Sequence, residues 1–470
     1  MVAPEANEEV LMATMTIKTR MLQLITHLED MQYKKDDPLP QKDRSFTQGE
    51  YPAWLRFYWK DSGDKLYELE DASGSSIMGL WFLSQCHKIL GQIHDFPTDD
   101  LRDKIKSQLK RGKHLPAFFQ GDGKDKFFHG TPVGSMGWWP LLEGYRVPAT
   151  LSDWLEQFVI KANPLNLREP LANMADGDYW AWCMSIENTT PGIMEYAFPL
   201  QDPKFVAPLM GSNLRKADIH KDDQWLIRKV GVKYKFGTLP IGTYYGFRRD
   251  KPAFLQRLSC AVNGNILSAI PLLDDFTPYL EDIERAMDFV CVATRMAIDG
   301  RMALTWKEHS YDYFIIDTAP VAYLCRAYKR IEELREEDVT DRLDDFPVFL
   351  DGRTRNKIKN FLVQRAHTYL DDDEICDGRN VTGWTHLIFV FHAMMNLTYV
   401  HPHMFPHKLI EDVASVLLGV HLPEADHTPG TGPFFLDIGV RFEIASAAFI
   451  SPALLEAFCL YQYLKEIESL

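Results

Sequence analysis

No two of the seven cysteines, at 86, 183, 260, 291, 325, 376 and 459, stand close enough to make a CxxC pair, and their number is odd. Neither a disulfide framework nor a zinc ribbon is expected, and the thiols read as reduced. No stretch of about 18 uncharged apolar residues occurs, so no membrane-spanning helix is expected. The first residues lack a basic segment followed by an apolar one, and Glu5, Glu8 and Glu9 oppose a transit peptide. A cytoplasmic chain is the expectation, which makes the sequons at Asn188, Asn380 and Asn396 chance matches. GxSxG, GxGxxG after a strand, GxxxxGK[ST] and HExxH are all missing. A Ser-His-Asp triad leaves no such local trace and stays open. Positive charge is short as well: 51 Lys and Arg face 66 Asp and Glu, a net −15. That argues against a nucleic-acid partner. An anionic small substrate would need metal ions to carry the positive charge.

What is present is ordinary globular material, 46% hydrophobic and 25% charged, with 11 Trp, 19 Tyr and 28 Phe. The aromatics suit a large core and also an apolar, aromatic-lined cavity. At 470 residues the chain is long enough for one large helical domain or two ordinary ones. We read an N-terminal helical and loop elaboration over 1–150 and a helical bundle over 151–470, packed as one unit.

Ile17, Met21, Leu24, Leu28 and Met31 recur at helical spacing and predict a helix over 8–33, an outer helix or a homodimer contact. Residues 34–52 read as a loop. Helices follow over 75–93 and 98–110, the second with Asp99 and Asp100 in its first turn. Residues 111–150 read as a long loop rich in Gly, Pro and aromatics, and 151–222 as short helices between loops. In 225–249, Val232, Tyr234 and Phe236 alternate with lysines, which predicts a small β-hairpin. Its seven basic residues, counted through Lys251, suit either a solvated hairpin or a lid over an anion. Helices are expected over 253–298, broken near Pro278, then 311–337, 353–371, 381–400, 407–420, 436–449 and 452–468. For the last, Ser451 reads as N-cap and Pro452 as first helical residue. The expected fold is mostly α, an antiparallel helical bundle.

Two acidic segments draw attention. Asp274 and Asp275 end an apolar stretch, where adjacent carboxylates repel unless water or a divalent cation neutralises them. Glu411 or Asp412 shares a helix face with Ser415, a spacing that grips one hard cation through oxygen. Arg365 lies between the segments, 46 residues before Glu411. This layout resembles class I terpene cyclases, and among them the fungal sesquiterpene cyclases of the humulene-synthase type. The fifth position of the first motif is Tyr279 in place of an acid, and the second motif ends on Gly419 in place of Glu. The resemblance covers about residues 250–470. It implies an α-helical bundle that cyclises a prenyl diphosphate, with farnesyl diphosphate as the expected substrate and Mg²⁺ as cofactor. Asp274, Asp275, Glu411, Asp412 and Ser415 would hold the metal. Arg365 and a lysine, Lys329 or Lys307, would hold the diphosphate. Phe276, Trp306, Trp384, Ile388, Phe391 and Met395 would line the pocket; ordinary core packing is the competing reading of these six.

Other clusters compete. Asp371, Asp372, Asp373, Glu374 and Asp377 imitate an Asp-rich motif but sit at a helix C-terminus, where carboxylates oppose the dipole, so a solvated loop is expected. His401, His403 and His407, with His392 upstream, would serve an all-helical haem-dependent oxygenase, the second reading. A non-enzymatic helical scaffold that uses the 17–31 stripe is the third.

Overall fold

A helix with no charged residue and apolar groups on every side must be covered on every side. The stretch VTGWTHLIFVFHAMMNLTYV is such a helix, and other described helices pack on it. The computed structural model describes residues 16–34, 37–38, 45–46, 48–51, 53–59, 65–71, 73–113, 260–272, 275–301, 317–338, 341–376, 381–419, 429–436 and 440–470.

Among these residues the helices are α1 (Ile17–Met31), α2 (Ser73–Leu90), α3 (Asp99–Gly112), α4 (Cys260–Ala269), α5 (Leu280–Ile298), α6 (Ala319–Glu337), α7 (Gly352–Leu370), α8 (Val381–Val400), α9 (His407–Gly419) and α10 (Ala447–Glu466). One-turn pieces stand at Ile270–Leu272, Thr277–Tyr279 and Asp373–Cys376. The described chain is thus mostly α. The charge-free helix α8 packs against α6, α7, α9 and α10. Helix α10 is the second hub and meets α1, α2 and α8. The core runs continuously from Leu24 and Leu28 of α1 through Trp81 and Phe82 to Phe391 and Phe458. The N-terminal helices therefore share one core with the C-terminal ones.

Two hairpins build a four-stranded antiparallel sheet in the order β4-β3-β6-β5. They are β3 (Ala53–Trp59) with β4 (Lys65–Asp71), and β5 (Pro429–Leu436) with β6 (Val440–Ser446). The central pair runs from Ala53 opposite Ser446 to Trp59 opposite Val440. A two-residue ladder, β1 (Asp37–Pro38) and β2 (Ser45–Phe46), lies inside the expected 34–52 loop.

Several boundaries differ from expectation. The first helix starts at Ile17, not residue 8. Thr16 is extended, and its hydroxyl accepts the Thr19 N–H at 3.2 Å, a side-chain cap. The expected helix 436–449 is instead strand β6 over Val440–Ser446, because Val440, Phe442 and Ile444 alternate with Arg441, Glu443 and Ala445. The strand runs straight into α10, so that helix begins at Ala447 and Pro452 lies inside it. Ser451 is accordingly not the N-cap. Helix α6 begins at Ala319 with Pro320 in its first turn, where a missing N–H costs nothing. The break near Pro278 is present, as the Thr277–Tyr279 turn before α5. The expected hairpin at 225–249, the loop and short helices over 114–222, and residues 8–15, 253–259 and 311–316 lie outside the described residues.

Candidate active site

Two histidines of α8 each meet a carboxylate, and the two pairs differ in exposure. The first pair lies at the start of α6. Asp317 sits in the turn before that helix, and its Oδ1 is 3.0 Å from His386 Nδ1. The other oxygen, Oδ2, accepts from Arg365 Nη2 of α7. One carboxylate thus joins α6, α7 and α8. Burial alone would raise the Asp317 carboxyl. The bond and charge of His386, with Arg365 beside it, outweigh burial and hold it below the ordinary carboxylate value. An ionised Asp317 accepts a hydrogen bond from His386 Nδ1–H, which turns Nε2 away from the carboxylate. Side-chain exposure is 13% for Asp317, 18% for His386 and 33% for Arg365, so the group is not sealed from solvent. The Tyr369 ring lies 5.5 Å from the His386 ring, and burial raises its phenol. The Arg365 guanidinium also rests on Phe361, 5.2 Å from the ring centre.

The second pair is sealed. His392 Nε2 is 3.3 Å from Glu456 Oε2 of α10, and Arg326 Nε of α6 donates to the same oxygen at 2.9 Å. The Arg326 guanidinium lies 3.9 Å from the Trp81 ring centre and 4.4 Å from that of Phe82. Further along α6, Lys329 pairs with Glu333 at 3.6 Å, and Lys88 of α2 donates to Glu333 at 2.9 Å. Arg326, Lys329 and Glu333 share one buried stripe of α6. Burial would raise Glu456, but Arg326, His392 and Lys329 together lower it to about 2. Glu333 is brought to about 2 in the same way, against burial, by Lys329, Arg330 and Lys88. Burial keeps His392 below the ordinary imidazole value, and Arg326 and Lys329 add to that.

The residues singled out from sequence fall in several places. Asp274, Lys307 and Trp306 lie outside the described residues. Asp275 is exposed, and its Oδ1 accepts the Thr277 N–H at 2.9 Å. Phe276 is buried edge-on to Phe346, ring centres 5.1 Å apart. Glu411 faces His407 at 3.5 Å, Asp412 is exposed, and Ser415 Oγ donates to the Glu411 carbonyl at 2.8 Å. Lys329 is in the buried stripe. Trp384, Ile388, Phe391 and Met395 are core, Phe391 packing on Phe458 at 5.7 Å. Asp372 accepts the Ile375 N–H at 3.3 Å. His401 Nε2 lies 3.0 Å from Tyr328 Oη, and His403 Nδ1 lies 2.8 Å from the Leu470 oxygen.

Asp275 and Arg365 are not brought together. Phe276 rests on Phe346, whose carbonyl, like that of Pro347, accepts from Arg335 in the last turn of α6. Arg365 is tied to Asp317 before the first turn. From Asp317 to Arg335 is 18 residues, about 27 Å of helix. Asp275 and Arg365 therefore stand at opposite ends of α6. Among the described residues no group of three or more His, Cys, Asp or Glu side chains is placed to hold a metal ion, and no helix is long and apolar enough to cross a membrane.

Sequence reasoning found Arg365 but missed its partners. Asp317 and His386 are 69 residues apart, a separation that leaves no local pattern. Comparison with protein-family models, with curated proteins and with solved structures finds no match for the chain.

Proposed function

We propose that the chain is an enzyme that works on a small molecule by general acid-base chemistry, with His386 as the group that moves the proton. The reading rests on one observation, the Asp317 carboxylate 3.0 Å from His386 Nδ1 in a partly exposed setting. Asp317 orients the ring and stabilises the imidazolium formed when Nε2 takes a proton from an attacking hydroxyl or water. Arg365 holds the second carboxylate oxygen and keeps Asp317 ionised. The sealed pair at His392 is a poorer base, because substrate has no route to a side chain 1% exposed.

Mg²⁺-dependent cyclisation of a prenyl diphosphate is the second reading. It is favoured by Asp275 and Asp412, exposed carboxylates with no basic partner among the described residues. The geometry lends no support to Arg365 as the diphosphate ligand of that reaction.

The test is turnover of two panels by purified protein: nitrophenyl esters and phosphates, and farnesyl diphosphate with Mg²⁺ or with EDTA. His386→Gln is expected to lower turnover of the first panel by roughly 10²–10⁴-fold, with Asp317→Asn lowering it too. Equal turnover in wild type and His386→Gln would sink the acid-base reading. A hydrocarbon that needs Mg²⁺, survives His386→Gln and is lost in the Asp274, Asp275 double alanine variant would establish the cyclase instead.

A further inference from the structure

Thr318 follows Asp317 and stands at the N-terminus of α6. A threonine in that place usually turns its oxygen on an N–H in the first turn of its own helix. Thr16 does so before α1. Thr318 does not. Its backbone is helical, φ −87° and ψ −23°, where a capping residue is usually extended, and the second residue of α6 is Pro320, which has no N–H to give. No side-chain cap bond forms. The hydroxyl instead donates across to α8, to the carbonyl oxygen of His386 at 3.3 Å. A carbonyl can only accept, so the direction of this bond is settled. Thr318 is 0% exposed, so water does not compete for it.

Two neighbouring residues of one turn therefore hold the same histidine. Asp317 Oδ1 lies 3.0 Å from Nδ1 of the ring, and Thr318 Oγ1 holds the main chain. Between those two points His386 has only its two side-chain torsions. Packed helices can slide on one another by small amounts. With the His386 carbonyl tied to the turn that carries the carboxylate, a slide of α8 along α6 strains the Thr318 bond as it draws the ring from Asp317. Tyr369, with its ring 5.5 Å away, and Arg365, which donates to the other carboxylate oxygen, both come from α7. They act on the ring and the carboxylate, whereas Thr318 acts on the backbone.

We propose that Thr318 is a positioning residue, whose hydroxyl fixes α8 where the His386 ring meets Asp317. The proposal rests on the acid-base reading of His386 given above. Thr318 acts through His386 and donates to its main chain, not its ring. Loss of the hydroxyl leaves the carbonyl with the N–H that the α8 ladder supplies, so the helix is kept and the register is loosened. The Nδ1 proton then exchanges with water more readily, and Nε2 is no longer held at one place.

The test is the Nδ1 proton resonance of His386, read in the whole chain with isotope-labelled histidine and identified by its loss in His386→Gln. Turnover of the nitrophenyl panel is read beside it. In Thr318→Val the resonance is expected to broaden or vanish while the other histidine signals stay in place. Turnover is expected to fall about tenfold with KM unchanged. Thr318→Ser, which keeps the hydroxyl, restores both. A Thr318→Val resonance equal to wild type in position and intensity overturns the proposal. So does a Thr318→Ser variant that loses the resonance as fully as Thr318→Val, because packing of the methyl would then be responsible. If Thr318→Val does not fold, Thr318→Ala removes the same hydroxyl and is read in the same way. A wild-type spectrum with no resonance that His386→Gln removes overturns the proposal too. The reading beneath it is judged separately: unchanged turnover in His386→Gln sinks the acid-base chemistry, while the resonance still decides whether Thr318 positions the ring.

Discussion

Among the described residues Arg326 pairs with the Glu456 carboxylate and lies over two aromatic faces, Trp81 and Phe82. Arg326→Met would leave the buried Glu456 carboxyl with only His392 and Lys329 as basic neighbours among the described residues. A cost of about 3–5 kcal/mol is expected, read from the urea midpoint. Adding Glu456→Leu removes the stranded charge, so the double variant should recover most of that loss. A double variant as unstable as the single one would mean that the stability lies in packing of the arginine stem. Gly112 carries a different constraint. A Cβ built there lies 2.4 Å from Leu80 Cδ1, where α3 meets α2. Gly112→Ala is expected to overpack that contact and cost about 1–3 kcal/mol.

Helix α7 shows how a local signal and a distant one meet in one element. Asp351 caps it by accepting the Thr354 N–H at 2.6 Å, and the same carboxylate takes a bond from Arg295 of α5. Asp351→Ala loses both, so about 1–2 kcal/mol is expected at the upper end for a helix cap; a loss of only a few tenths would make the Arg295 pair inert. Elements of this kind were legible in the sequence. The expectations 353–371, 381–400 and 407–420 meet Gly352–Leu370, Val381–Val400 and His407–Gly419, since caps and apolar periodicity are properties of neighbouring residues. Residues 436–449 misled because a short apolar run such as VRFEIAS can be read at either period; what settles it is β3, some 390 residues away. The Asp317–His386 pair was illegible for the same reason. Nothing near either residue announces the other, and it takes the packing of α6, α7 and α8 to join them.

Over the whole molecule, buried charge sets the acid limit. Glu333 and Glu456 are each held at about 2, below an ordinary value of 4.5. A carboxyl held low contributes stability that is complete above its unfolded value and is lost as pH falls through the folded one. His392, held below its ordinary value, loses stability in the same direction when it must take a proton. The midpoint of urea unfolding should therefore fall steeply between about pH 4.5 and 2, and this slope should shrink in the Arg326→Met, Glu456→Leu double variant. An equal slope in that variant would place the acid sensitivity elsewhere.

Helix α10 and strand β6 come after every other described element in the chain, yet α1, α2, α8 and β3 all pack on them. On a ribosome, which releases the chain from its N-terminus, Leu24, Leu28, Trp81 and Phe82 emerge hundreds of residues before the surface that covers them. The parts of these faces that α10 covers stay without that partner until α10 itself is made, a period in which chaperones that bind exposed apolar surface would protect the nascent chain.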